Sequence, residues 1–179
     1  MEIKYKKNKN QLLSMVLIRK VRKSDKAQLL QLRREFHQCT VMNRAIVSKA
    51  VFKLVEFRDY DDAIRKDASK YVRAGKGNGK EIAFVAVENS QVVGYIYGII
   101  KTRQKEVHDT PGYVEHWFVA QSSQGKGIGK LLWCALLKWF KSKKCNCIEL
   151  KTYVGNKRAR AVYRKLGLVE KIVAMGKKL

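Results

Sequence analysis

The segment Val119-Ala-Gln-Ser-Ser-Gln124-Gly-Lys-Gly127-Ile-Gly129-Lys130 places three glycines at alternate positions between an apolar run ending at Val119 and another beginning at Leu131. Glycines here let the backbone come close to a ligand. The freed amides of the first helical turn then point at it, with the helix dipole behind them. These are the requirements of a pyrophosphate site. Spacing excludes two commoner phosphate loops. A P-loop needs Gly five residues before Gly129 and Ser or Thr after Lys130; the chain has Gln124 and Leu131. A dinucleotide fingerprint needs Gly-x-Gly-x-x-Gly, whereas this loop reads Gly-x-Gly-x-Gly. Taken alone, the loop fits an ordinary glycine-rich connection in a basic protein equally well.

On either side, patterning places the loop between a strand and a helix. Tyr113–Val119 reads as a strand. Gly127–Phe140 reads as a helix, with Leu131, Leu132, Ala135, Leu136 and Trp139 on one face. A strand at Cys147–Tyr153, a helix at Lys157–Leu166 closed by Gly167, and a strand region at Val169–Lys178 follow. Upstream, the β-branched runs Ile82–Val87 and Val92–Ile100 flank a hairpin-length turn. Before the loop of Gly75, Gly77 and Gly79, a helical stretch from about Met42 to Val72 is expected to break near Arg58–Asp62. A strand at Val16–Val21 leads to a helix bearing Leu29, Leu32 and Phe36, with Ser24 or Asp25 as its cap. Residues 1–14 read as a basic, mobile tail, Met15 as an alternative start, and residues 15–179 as one mixed α/β domain in the order βα(α)βββαβαβ.

Composition agrees with one domain, since 179 residues exceed about 150 by little. The hydrophobic share of 46% suffices for a core. No apolar run approaches the ~20 residues that span a bilayer. Leu12–Ile18 contains Ser14 and runs into basic residues, unlike a secretory signal. Four cysteines (Cys39, Cys134, Cys145, Cys147) are too sparse for a disulfide scaffold, which makes a reducing cytoplasm the expected compartment. Three histidines and one Cys-x-Cys make no zinc motif, so no metal is expected. Cys134 reads as a small core residue. The 39 Lys and Arg against 15 Asp and Glu give a net charge of +24, which favours polyanionic partners: nucleic acid, or a phosphorylated cofactor. From His116 to Leu179 there are 15 basic residues and only two acids, whereas Glu56, Asp59, Asp61, Asp62 and Asp67 form an acidic island. A solvated basic surface beside one acidic helical face accounts for both.

Two blocks together resemble a known family. Val119–Gly129 resembles motif A of the Gcn5-related N-acetyltransferase (GNAT) superfamily, a strand ending in Val followed by Gln/Arg-x-x-Gly-x-Gly/Ala at a helix start. Asn156-Lys-Arg-Ala159-Arg-Ala-Val-Tyr163-Arg-Lys-Leu166-Gly167-Leu168 resembles its motif B, with Leu168 in place of the usual Phe. Ile18–Asp25 is similar to the family's opening strand and helix cap. The resemblance covers about residues 16–179. It implies an α/β (α+β) fold: a single domain with a mixed, mostly antiparallel twisted sheet, splayed at an acetyl-CoA site and flanked by helices.

It also implies roles. The pantetheine arm would bond the backbone of Trp117, Phe118 and Val119. The loop led by Gln124 would hold the pyrophosphate on the amides of Gly125, Lys126, Gly127, Ile128, Gly129 and Lys130, and Asn156 would bond the pantetheine side. The Val119 amide would meet the developing oxyanion, and Tyr163 would protonate the departing thiolate. A base could be Glu115 or Tyr113, which simple alternation puts on the face of Trp117 and Val119; Glu115 is the only carboxylate on the strand, and an ion pair is its bland alternative. His116 reads as a satisfied core or surface histidine. The acceptor is an amine: a cationic small molecule or lysine drawn by the acidic island, or a protein N-terminus at the ribosome. The non-enzymatic alternatives are a CoA-binding regulator and a basic RNA- or ribosome-associated protein. No membrane association is expected, and the chain would be a monomer or homodimer.

Overall fold

Asn89 and Ser90 both have positive φ, 49° and 63°, the requirement of a two-residue turn whose twist matches its strands. That turn joins β3 (Glu81–Glu88) to β4 (Gln91–Ile100), the centre of the sheet. The computed structural model describes residues 3–5, 15–43, 45–55, 59–77, 79–103, 107 and 109–177. Before the hairpin come β1 (Ile3–Tyr5), β2 (Val16–Lys20), α1 (Lys26–Cys39), α2 (Lys49–Val55) and α3 (Tyr60–Lys76). After it come β5 (Pro111–Val119), α4 (Ile128–Ser142), β6 (Cys147–Leu150) and α5 (Lys157–Lys165). The six strands are ordered β1-β2-β3-β4-β5-β6. Every neighbour pair is antiparallel except β5 and β6, which α4 connects as parallel strands.

Each face of the sheet carries its own core. On one, α4 buries Ile128, Leu132, Leu136 and Phe140 against Ile82, Phe84, Ile96 and Val114. On the other, Leu29 and Leu32 of α1 and Ala68, Tyr71 and Ala74 of α3 cover Val85, Tyr95, Tyr97 and Phe118. Each fully buried leucine contributes about 1.5–3 kcal/mol. The expected helix break lies between α2 and α3, where Asp59 Oδ1 caps α3 by accepting from the Asp62 amide at 2.8 Å. Residues 56–58 lie outside the described residues.

Several expectations need correction. Ile3–Tyr5, assigned to a tail, pairs with Val16–Ile18 as β1; residues 6–14 lie outside the described residues. Residues 169–177 form no strand, and Val169, Ile172 and Met175 stand more than 80% exposed. Side-chain pairs hold this segment instead of a backbone ladder: Glu170 with Arg160 and Arg164, and Lys171 with Glu149. Asp25 does not cap α1 through its side chain. It is buried, accepting from both Arg19 guanidinium nitrogens at 2.7 and 2.8 Å and from the Arg22 amide at 2.7 Å. Cys134 is exposed on α4 rather than part of its core face.

The change that matters most for function lies in β5. Tyr97 pairs with His116, but Gly98 pairs with Val114, so Glu115 is an extra residue in the strand. Such a bulge resets side-chain alternation. Val114 and Trp117 therefore both pack on the α4 side, and His116 and Phe118 on the α1–α3 side. Simple alternation across Tyr113–Val119 fails at this residue. The β5–β6 ladder stops at the same place, its last pair being Val114 with Leu150.

Candidate active site

Beyond Val114 the two parallel strands part, and a cavity of about 90 Å³ occupies the gap. Val114, Glu115, His116 and Trp117 line it from β5, residues 150–153 from the end of β6, Phe36 and Thr40 from the end of α1, and Tyr163 from α5. The gap is bordered from both faces of the sheet. Trp117 and Tyr163 flank the α4 side, their rings 5.8 Å apart; Phe36 and His116 flank the α1–α3 side, 6.4 Å apart.

Ala120 donates its amide to Val93 O at 2.9 Å, toward β4. Alternation in an antiparallel pair then turns the backbone groups of Trp117 and Val119 away from β4 and into the gap. Phe118, expected among the backbone contacts, faces β4 instead, and its ring is buried in the α1–α3 core. Gln124 fastens the strand end, its Nε2 donating to Val119 O at 2.9 Å.

The glycine loop follows. Gly125 and Gly127 have φ of 78° and 82°, a left-handed conformation that disfavours any side chain. Both face open space, with nothing within 4 Å of an added Cβ. Among the described residues, no amide from Gly125 to Lys130 donates to a protein acceptor; the first to do so is Leu131, to Gly127 O at 3.2 Å. Uncommitted amides at the start of a 15-residue helix attract an anion. Lys130 is exposed, while Lys126 pairs with Glu88 at 3.3 Å. Asn156 uses its side-chain oxygen to cap α5, accepting from the Ala159 amide at 3.2 Å.

Tyr163 is held by aromatic packing. Its ring lies against Trp117, which stacks on buried Trp133 at 5.4 Å, and burial raises the pKa of its hydroxyl. A protonated phenol at neutral pH is able to act as an acid. Sequence reasoning missed the indole side chains of Trp117 and Trp133, because nothing local marks two tryptophans from different elements as neighbours. The acidic island is committed elsewhere: Asp59 caps α3, Asp61 pairs with Arg34, Asp62 with Lys66 and Asp67 with Arg33. Glu56 lies outside the described residues. Among the described residues no cluster of His, Cys, Asp and Glu is able to hold a metal ion, and no helix is long and apolar enough to cross a membrane.

His116 is neither a plain core residue nor a surface one. It borders the cavity, and Tyr71 Oη lies 2.8 Å from its Nδ1. Burial, followed by the Arg33 guanidinium and with Lys70 adding, brings its pKa down from 6.5 to about 4 against the pull of Asp67. The unfolded chain therefore binds the extra proton more readily, and stability is lost as pH falls from about 6.5 toward 4. At about 1.4 kcal/mol per tenfold change in proton affinity, this amounts to about 3 kcal/mol. The expected result is that His116→Gln, which does not titrate, removes this part of the acid sensitivity in melting curves at pH 7 and pH 4.5. An unchanged difference between the two pH values would contradict it.

The sheet thus opens between two parallel strands, beside a glycine-headed helix with uncommitted amides. The profile of the Acetyltransferase (GNAT) family matches residues 42–168, and the chain belongs to that family. It is 32% identical over 99 residues to the uncharacterized N-acetyltransferase MJ1207 of Methanocaldococcus jannaschii. That match covers 55% of this chain and 39% of the relative, so the chain spans well under half of that protein's length. Among solved structures, a mutant of the BH1408 protein of Bacillus halodurans superposes with a TM-score of 0.73 at 23% identity, covering 90% of this chain and 98% of that one. The aminoglycoside N-acetyltransferase AAC(6')-Iy in complex with CoA superposes with a TM-score of 0.66 at 20% identity, covering 92% and 95%. Glucosamine-6-phosphate N-acetyltransferase of Arabidopsis thaliana gives 0.62 at 20% identity, covering 91% and 97%. At these identities the structures share the fold.

Proposed function

We propose that this protein transfers the acetyl group of acetyl-CoA to a primary amine by direct attack in a ternary complex. The observation that carries this reading is the gap itself, with a cavity bordered from both faces of the sheet and, just past the end of β5, a helix start whose amides are uncommitted. The amides of Gly125–Lys130 and the Lys130 side chain fit a pyrophosphate, and the gap-facing backbone of Trp117 and Val119 fits an extended amide-bearing arm. Asn156, with its oxygen committed to the α5 cap, retains its side-chain amide protons for the same arm. When bound, acetyl-CoA supplies an activated carbonyl on a thiol leaving group. The Val119 amide stabilises the charge that develops on the carbonyl oxygen. Tyr163 donates a proton to the departing thiolate. Glu115, exposed on the bulge at the cavity rim, is placed to attract the incoming ammonium.

Transfer to a panel of amines (spermidine, a lysine peptide, a peptide with a free N-terminus) tests this reading. Tyr163→Phe is expected to lower kcat by about 100-fold while leaving the KM for acetyl-CoA nearly unchanged, since the ring packing survives and only the acidic proton is lost. Equal kcat in the variant would remove Tyr163 from the mechanism. No transfer by the wild type to any amine would leave a CoA-binding regulator as the better reading.

One further observation favours a second partner. Lys130, Lys138 and Lys141 lie along the outer side of α4, with Lys143 and Lys144 just beyond, all exposed and without a carboxylate partner among the described residues. Only Lys130 adjoins the loop assigned to the pyrophosphate, and the cofactor does not require the other four. They support RNA or ribosome association by the same domain.

A further inference from the structure

We infer that His116 receives the proton of the attacking amine through Nε2, and that Tyr71 holds the ring in the tautomer that leaves Nε2 unprotonated. This rests on the acetyl-transfer reading above and names the group that completes it.

The placement is geometric. Tyr163 and His116 border one cavity from opposite faces of the sheet. A thioester lying in the gap would therefore have a phenol on one side and an imidazole on the other. The β5 bulge turns His116 to that side. The ring is fixed rather than free: Tyr97 stacks on it at 6.5 Å, and Phe36 and Tyr71 meet it edge-on at 6.4 and 5.8 Å. Among the described residues its single hydrogen bond is Nδ1 to the fully buried Tyr71 hydroxyl at 2.8 Å. A phenol hydroxyl either donates or accepts at this distance; in the tautomer inferred here Nδ1–H donates to Tyr71 Oη, and the lone pair of Nε2 is left for a ligand. A histidine with only a structural role would have both nitrogens satisfied or sealed in the core.

Charged and titratable groups surround it on every side. Arg33 faces it from α1; Asp67, Lys70 and Tyr71 from α3; Tyr97 from β4; Glu115 adjoins it on β5. Arg33, paired with Asp67 at 2.6 Å, works with burial to keep the ring neutral at physiological pH. A neutral ring keeps its lone pair at any such pH, as a proton acceptor must, though burial and Arg33 make it a weaker base than free imidazole. It would also pass the proton on quickly, because the charged ring is disfavoured. The step balances as follows. The amine nitrogen forms a bond to the acetyl carbon, the C–S bond breaks with its electron pair on sulfur, and the nitrogen's proton moves to Nε2. Tyr163 protonates the sulfur and regains its proton from water, while His116 returns its own to water.

Two measurements test this. The first needs no acceptor: ¹⁵N NMR of the imidazoles at pH 7, with the His116 signals identified by their loss in His116→Gln. A pyridine-type Nε2 and a pyrrole-type Nδ1 are expected, with the tautomers becoming mixed in Tyr71→Phe. A pyrrole-type Nε2 in the wild type overturns the proposal. The second is transfer from acetyl-CoA to spermidine and to peptides with a free α-amine or lysine. His116→Gln is expected to lose about 100-fold or more in kcat, with the KM for acetyl-CoA within about twofold. His116→Ala should be rescued by added imidazoles in proportion to their basicity, which simple refilling of a cavity would not show. If Glu115→Gln loses activity while His116→Gln keeps it, the carboxylate is the acceptor and the proposal fails. If the wild type binds acetyl-CoA but acetylates none of these amines, the acetyl-transfer reading fails with it, whatever tautomer the spectrum shows.

Discussion

Gly127→Glu is expected to abolish the thermal stabilisation that acetyl-CoA gives the wild-type protein. At a ligand concentration of about 100 times Kd, the wild type should gain roughly 2.7 kcal/mol. Two effects act together in the variant. Gly127 sits at φ 82°, where a side chain costs on the order of 1 kcal/mol. The carboxylate also enters the open space beside the amides that would hold the pyrophosphate, where it fills the anion site and repels the ligand. Gly127→Ala separates the two, since it carries the strain without the charge and should retain most of the ligand-induced shift. The measurement is the melting temperature with acetyl-CoA, ATP and heparin at about 150 mM salt, where exposed charges are screened beyond about 8 Å. A shift confined to acetyl-CoA and lost in Gly127→Glu supports the cofactor site. Equal shifts with all three ligands would assign the loop to a general polyanion surface, of the kind the outer side of α4 offers.

Asp25→Ala is expected to destabilise the fold by about 3–5 kcal/mol, the usual cost of removing one partner from a buried ion pair. The Asp25 side chain is 4% exposed and Arg19 11%. Burial alone would raise the Asp25 pKa, yet the hydrogen bonds from Arg19 and the Arg22 amide hold it below the ordinary value of 3.8. Its contribution is therefore present above that value and is lost as pH falls below it, a window lower than that of His116. The substitution takes from the Arg19 guanidinium the buried carboxylate that accepts two of its hydrogen bonds, and removes the Asp25 oxygen that accepts from the Arg22 amide. For a domain of this size, about 4 kcal/mol corresponds to roughly 10 °C in melting temperature. The double variant Arg19→Met/Asp25→Leu should recover much of the loss, because both charges of the buried pair are removed together. A change below about 1 kcal/mol in Asp25→Ala would show that this pair does not hold β2 to the start of α1.

Much of the architecture is legible along the chain because its causes are local. Alternating β-branched residues and a turn of Asn89 and Ser90 specify the central hairpin. Leu132, Leu136 and Phe140 specify the buried face of α4, and Gly125 and Gly127 the loop whose amides remain free. Where reading failed, the deciding partner was distant. Val169–Lys178 has strand-like composition, but ion pairs with Arg160, Arg164 and Glu149 settle its course. The partners of the acidic island are likewise distant: α1 supplies Arg33 for Asp67 and Arg34 for Asp61, pairings that no local pattern shows.

The cavity divides the same way. The glycine spacing of the loop is read directly from the sequence as suited to an anion, and Tyr163 is singled out there by the resemblance to motif B, because both signals lie in residues a few positions apart. The bulge at Glu115 is invisible in one strand, since it exists only in register with β4. Tyr71 and His116 are 45 positions apart and meet only when α3 packs on the sheet. A side chain's protonation, orientation and access depend on what surrounds it in space, and packing brings those surroundings from elsewhere in the chain.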